Sequence, residues 1–130
     1  MEGLPPMNPE EIIDRYCHVW SEPDAERRAA LLASVWSDHA TYSDPAVHDL
    51  GATELLAHIA RMQVARPGAR ILRSTAVDAH HGVARFGFEV RGEDGTILRQ
   101  GVDVVFFSDS RTRIERVIGF FGALKDSNPR

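Results

Sequence analysis

The chain has 130 residues, enough for one domain with its own core, and its 43% hydrophobic and 26% charged shares set aside the disordered and fibrous classes. A net charge of −4, with Lys and Arg scattered singly, offers no basic stripe to follow a phosphate backbone, so nucleic acid is not an expected partner. The single cysteine, Cys17, excludes an intrachain disulfide framework and suits a reducing compartment.

The start of the chain, Met1-Glu2-Gly3-Leu4-Pro5-Pro6, has neither the cationic start nor the apolar stretch of a secretory signal. No apolar run elsewhere approaches the ~20 residues of a membrane helix. The expectation is a cytoplasmic protein with no membrane segment. Residues 1–7 and 123–130 lack a periodic apolar face and are expected to be loosely ordered around a single domain spanning 8–122.

Asn8-Pro9-Glu10-Glu11 offers an N-cap, a proline at the first helical position and an acid at the third. Ile13, Tyr16, Cys17 and Trp20 then recur at i, i+3, i+4 and i+7, which predicts an amphipathic helix with Tyr16 on its buried face. Cys17 on that face reads as a buried thiol and not as a nucleophile. A second helix is predicted from about Pro23-Asp24, carrying Leu31, Leu32, Val35 and Trp36 and stopping before Ser37-Asp38-His39. Ala40-Thr41-Tyr42 reads as a short strand ended by Asp44-Pro45, because proline lacks the amide proton and restricts its predecessor. A loop follows, and a third helix runs from about Thr53 to Ala65 until Arg66-Pro67-Gly68 ends it.

From there the period changes to two. Ala84, Phe86, Phe88 and Val90 alternate with Arg85, Gly87, Glu89 and Arg91, the mark of a half-buried strand. Its predicted neighbours, Ile71 to Ala79, Ile97 to Phe107 and Arg113 to Phe121, are joined by short Gly- and Asp-containing turns that imply an antiparallel meander. Helices first and strands afterwards predict an α+β fold, with three N-terminal helices packed on a strongly curved antiparallel β-sheet that encloses a pocket.

Three residues stand out as candidates for chemistry. Asp103 interrupts Val102-Asp103-Val104-Val105-Phe106-Phe107, where both strand faces are otherwise apolar, so its carboxylate must be paired, hydrogen-bonded or neutral. Either a protonated donor or an ion-paired structural acid satisfies that requirement. Asp44 lies between a short strand and Pro45, where a rigid turn can aim it at the hollow, and Tyr16 carries a hydroxyl on an apolar face, where it packs in the core or lines a cavity. The histidines His18, His39, His48, His58, His80 and His81 form no metal-ligand spacing, and there is no phosphate loop or nucleophile elbow.

The succession of Arg15-Tyr16, Ala40-Thr41-Tyr42-Ser43-Asp44-Pro45 and Val102-Asp103-Val104-Val105-Phe106 resembles the nuclear transport factor 2-like superfamily. Within it, the chain is similar to the SnoaL-like polyketide cyclase and ketosteroid isomerase branch over residues 8–122. The resemblance implies a cystatin-like α+β cone around a small-molecule pocket and a reaction without cofactor or metal. Asp44 would be a general base, with Tyr16 and a neutral Asp103 as oxyanion donors, in a double-bond shift or cyclisation of a hydrophobic carbonyl compound. It also allows epoxide hydrolysis or dehydration in the same pocket, or a non-catalytic binding or interaction domain. Apolar residues on both faces near Val104 to Phe107 and Val117 to Phe121 point to a homodimer through the sheet.

Overall fold

A computed structural model describes residues 7–127, so residues 1–6 and 128–130 of the expected loose ends lie outside the described residues. Met7 packs, partly buried, against the core. Helix α1 (Pro9–Ser21) starts at a reciprocal capping box: Asn8 Oδ1 accepts from Glu11 N at 2.8 Å, and Asn8 N donates to Glu11 Oε1 at 3.1 Å. One face of α1 is wholly withdrawn from water, with Ile12, Ile13, Val19 and Tyr16 at 0–1% exposure, and each such aliphatic side chain contributes about 1.5–3 kcal/mol.

Helix α2 (Ala25–Val35) is capped by Asp24, whose side chain accepts from Arg27 N at 2.9 Å. The helix stops one residue before Trp36, which the periodicity had put on its apolar face. Trp36 instead opens strand β1 (Trp36–Asp44), pairs with Ile114 and stacks its ring on Tyr16 at 6.0 Å. Strand pairing outweighs the helical pattern there, and β1 is far longer than the expected three-residue strand. The segment read as a loop holds a further strand, β2 (Val47–Leu50), which folds back antiparallel on β1. Four residues with exposed His48 and Asp49 at their centre carry too little alternation to reveal it.

Helix α3 (Ala52–Ala65) follows, and the predicted strand over 71–79 divides into β3 (Arg70–Arg73) and β4 (Asp78–His80). Both pair with β5 (Val83–Arg91), and the break is held by Ser74 N donating to Gly87 O and Gly87 N donating to Thr75 Oγ1, each at 2.8 Å. Strands β6 (Ile97–Phe107) and β7 (Ile114–Phe121) complete a seven-stranded sheet of order β2-β1-β7-β6-β5-β3, with β4 also on β5. The sheet is mixed and not wholly antiparallel, because β1 runs parallel to β7. The connection between them is the whole intervening chain, which periodicity in either segment cannot report.

The helices cover one face of this curved sheet: α1 packs on α2 and β3, and α3 on β1. Buried Arg28 ties these layers together, donating to Glu22 O, Pro23 O and Gln63 Oε1, while Gln63 Nε2 donates to Trp20 O and Glu22 O. That bracket fixes the end of α1 against α3 and so holds Trp20 in place. No helix among the described residues is long and apolar enough to cross a membrane.

Candidate functional site

The hollow between helices and sheet is a cavity of about 180 Å³, and Tyr16, Asp44 and Asp103 all line it. Asp103 reaches it from the middle of β6, where alternation turns residues 101, 103, 105 and 107 inward. Its cross-strand neighbours are Phe86 on β5 and Gly119 on β7. Gly119 makes the room. A Cβ there would lie 2.9 Å from Asp103 Oδ1, 3.4 Å from Asp44 Cβ and 3.6 Å from the Tyr42 hydroxyl, so all three groups crowd around one side-chain-free point.

Asp103 is 7% exposed, and its carboxyl makes no ion pair with an arginine or any other cation among the described residues. Burial, with the Asp44 carboxylate adding to it, pushes its pKa up from 3.8 to about 7. A protonated, donating carboxyl is therefore populated near neutrality. Of the two states left open by the sequence, the structure favours the neutral donor.

Tyr16 comes from the buried face of α1, and its hydroxyl has no hydrogen-bond partner among the described residues. Burial and the nearby Asp103 hold this phenol well above its ordinary range, so it stays a donor. A buried hydroxyl without a partner costs about 1–3 kcal/mol, a deficit that an acceptor entering the cavity removes. Cys17, its neighbour on α1, does not line the cavity, and burial keeps its thiol protonated.

Asp44 ends β1 with both oxygens engaged. Oδ1 accepts from Ala46 N at 2.7 Å and Val47 N at 3.1 Å, the turn that Pro45 sets up; Oδ2 accepts from the Tyr42 hydroxyl at 2.6 Å. The carboxylate is thus aimed and held, with lone-pair capacity left on Oδ2. Tyr42 was missed in the sequence, although its position two residues before Asp44 puts it on the same face of a strand. It is 5% exposed, and burial followed by its bond to Asp44 keeps its hydroxyl protonated.

Two further cavity residues were not singled out. His58 sits on α3 in the helical stripe of Leu55, Ile59 and Met62, its ring edge-on to Trp20 at 5.8 Å. Burial lowers its pKa from the ordinary 6.5 and so disfavours the imidazolium, against the opposing pull of the Asp44 carboxylate. Arg99 stands on the Asp103 face of β6, four residues earlier, with its guanidinium 3.9 Å over the Phe121 ring. By contrast, His48 and Asp49 of the loop-turned-strand are exposed, bond to Ser43 and stay out of the cavity.

No family model matches the sequence, and no curated protein matches it. Solved structures do. A SnoaL-like family protein from Agrobacterium tumefaciens strain C58 is 30% identical, with a TM-score of 0.80 over 88% of this chain and 97% of that one. A polyketide cyclase candidate from Sinorhizobium meliloti matches at 16% identity and a TM-score of 0.65, over 89% and 94% of the two chains. A protein with a ketosteroid isomerase-like fold from Catenulispora acidiphila matches at 11% and 0.65, over 87% and 85%. The last two share the fold alone, whereas identity, coverage and superposition with the A. tumefaciens protein place this chain in the SnoaL-like family.

Proposed function

We propose that the chain is an acid–base enzyme that moves a proton on a hydrophobic carbonyl compound, as a double-bond shift or an aldol-type cyclisation. The observation that carries this reading is the meeting of the Tyr16 hydroxyl and the buried Asp103 carboxyl, whose protonated form is populated near neutrality, with the aimed carboxylate of Asp44 around one cavity. Such a set matches the charge that develops in enolisation. Asp44 removes the proton alpha to the carbonyl, the C–H electron pair moves into the new C=C bond, and the carbonyl oxygen gains the negative charge. Tyr16 and neutral Asp103 donate to that oxygen, and donors fixed in a dry site stabilise it without reorganising. Returning the same proton from Asp44 to the γ carbon completes an isomerisation, so neither oxidant nor reductant is consumed. The names of the relatives, an isomerase candidate in A. tumefaciens and a polyketide cyclase candidate in S. meliloti, agree with this class of chemistry.

The test uses cyclohex-3-en-1-one, following both the absorbance of the conjugated product and deuterium uptake alpha to the carbonyl in D2O. Asp44→Asn keeps the shape and removes the proton acceptor, and both rates should fall by roughly 10² or more. Equal rates in the mutant would remove Asp44 from the mechanism. Ligand binding without exchange by the wild-type protein would turn the reading to a non-catalytic binding domain.

A further inference from the structure

We propose that Arg99 selects the substrate, and that the substrate is a carbonyl compound of about one ring that carries a carboxylate. The inference rests on the proton-transfer reading above and adds the chemistry of the ligand's other end. It starts from β6, whose inward face presents Arg99, Gly101 and Asp103 in succession. Arg99 and Asp103 are four residues apart on one strand, about 13 Å between their Cα atoms. Gly101 lies between them, and the space its side chain would fill is taken by the Phe120 carbonyl oxygen and by the Phe88 ring, which also lines the cavity and whose Cζ is 2.6 Å from the Cβ position. The cavity wall therefore reads cation, aromatic surface, hydrogen-bond donor.

The cation is free to act. Arg73, Arg85 and Arg91 each sit against a carboxylate, but Arg99 makes no ion pair among the described residues. Neither acid of the cavity pairs with it among the described residues: burial opposes the ionisation of Asp103, and the oxygens of Asp44 accept from Tyr42 and two backbone amides instead. A cation–π contact with Phe121 holds the guanidinium at the exposed rim, which leaves its N–H groups for a planar, two-oxygen acceptor. A carboxylate is the acceptor that matches this edge, and the Phe88 surface suits an apolar ring behind it.

Volume limits the rest of the ligand. A cavity of about 180 Å³ is close to the roughly 150 Å³ that encloses a benzene-sized guest, so one ring fits between the two polar ends. With the carboxylate on Arg99 and the ring on Phe88, a ring ketone extends towards Tyr16 and Asp103, where the proposed enolate forms.

The experiment compares 3-oxocyclohexane-1-carboxylate with its methyl ester, which differ in charge at one end and share the ketone. Equilibrium affinity is measured by calorimetry, and α-deuterium exchange in D2O by NMR. The wild-type protein should bind the carboxylate about tenfold more tightly than the ester, a preference that shrinks as salt rises. Arg99→Gln should bring the two affinities together, acting through KM more than kcat, and Arg99→Lys should restore part of the preference by keeping the charge without the planar fork. Equal wild-type affinities for acid and ester, or a preference that survives Arg99→Gln, would overturn the proposal. Selective carboxylate binding with no α-exchange would sustain Arg99 as the anchor and refute proton transfer, so the two readings fail separately.

Discussion

Replacing Asp103 by asparagine keeps the side chain's shape and a hydrogen-bond donor, and removes a carboxyl whose ionisation burial opposes. Moving that carboxyl from 3.8 in an exposed setting to about 7 in the fold means the unfolded chain releases its proton far more readily. The raised value sets the sign: the native state is fully favoured below pH 4, loses ground as pH rises, and stops losing it once the folded carboxyl ionises near 7. At 1.36 kcal/mol for each pH unit crossed, the loss reaches about 4 kcal/mol. Urea unfolding of wild type and Asp103→Asn at steps from pH 4 to pH 8 isolates it, because every other titrating group is shared. The stability of the wild type relative to the mutant should fall steadily between pH 4 and 7 and level off above. A difference that stays constant, or that instead grows as pH rises, would mean an Asp103 that is ionised and stabilised in the fold, and would refute both the neutral donor and its role beside Tyr16.

Three other perturbations reach the same site or its surroundings. Asp44→Asn removes the charge that adds to burial at Asp103, so the Asp103 carboxyl, followed by NMR, should titrate below about 7 yet stay above 3.8; no change would mean the two acids do not communicate. Gly119→Ala inserts a methyl 2.9 Å from Asp103 Oδ1, which should cost about 1–3 kcal/mol of stability in thermal unfolding and abolish turnover of the enone; full activity would show that the crowding around Gly119 is relieved without disturbing the acids. Val102, Phe106 and Phe120 stand 37%, 39% and 56% exposed on the sheet face away from the helices, so sedimentation at micromolar concentration should show a dimer that Phe120→Glu dissociates, and a monomeric wild type would end that expectation.

Much of this architecture was legible locally. The capping box at Asn8 and the 3.6-residue stripe of Tyr16, Cys17 and Trp20 announced α1, the alternation from Ala84 to Val90 announced β5, and a carboxylate set in the apolar run of β6 marked Asp103 before any neighbour was known. These signals survive because caps, periodicity and the cost of burying a charge act within a few residues of one another. What lay beyond them was decided by pairing across the chain. Trp36 left its helix because Ile114 was waiting on β7, and β1 ran parallel to β7 in an otherwise antiparallel sheet. Even the residues sharing a face with a recognised candidate, Tyr42 beside Asp44 and Arg99 beside Asp103, acquired roles only once strand register and curvature set what stood opposite. Gly119 carries no signal of its own; it matters because the β6–β7 register puts it across from Asp103, with Asp44 and Tyr42 brought alongside by β1. Periodicity tells which way a side chain faces, but the distance between two facing side chains on separate strands is a property of the assembled sheet.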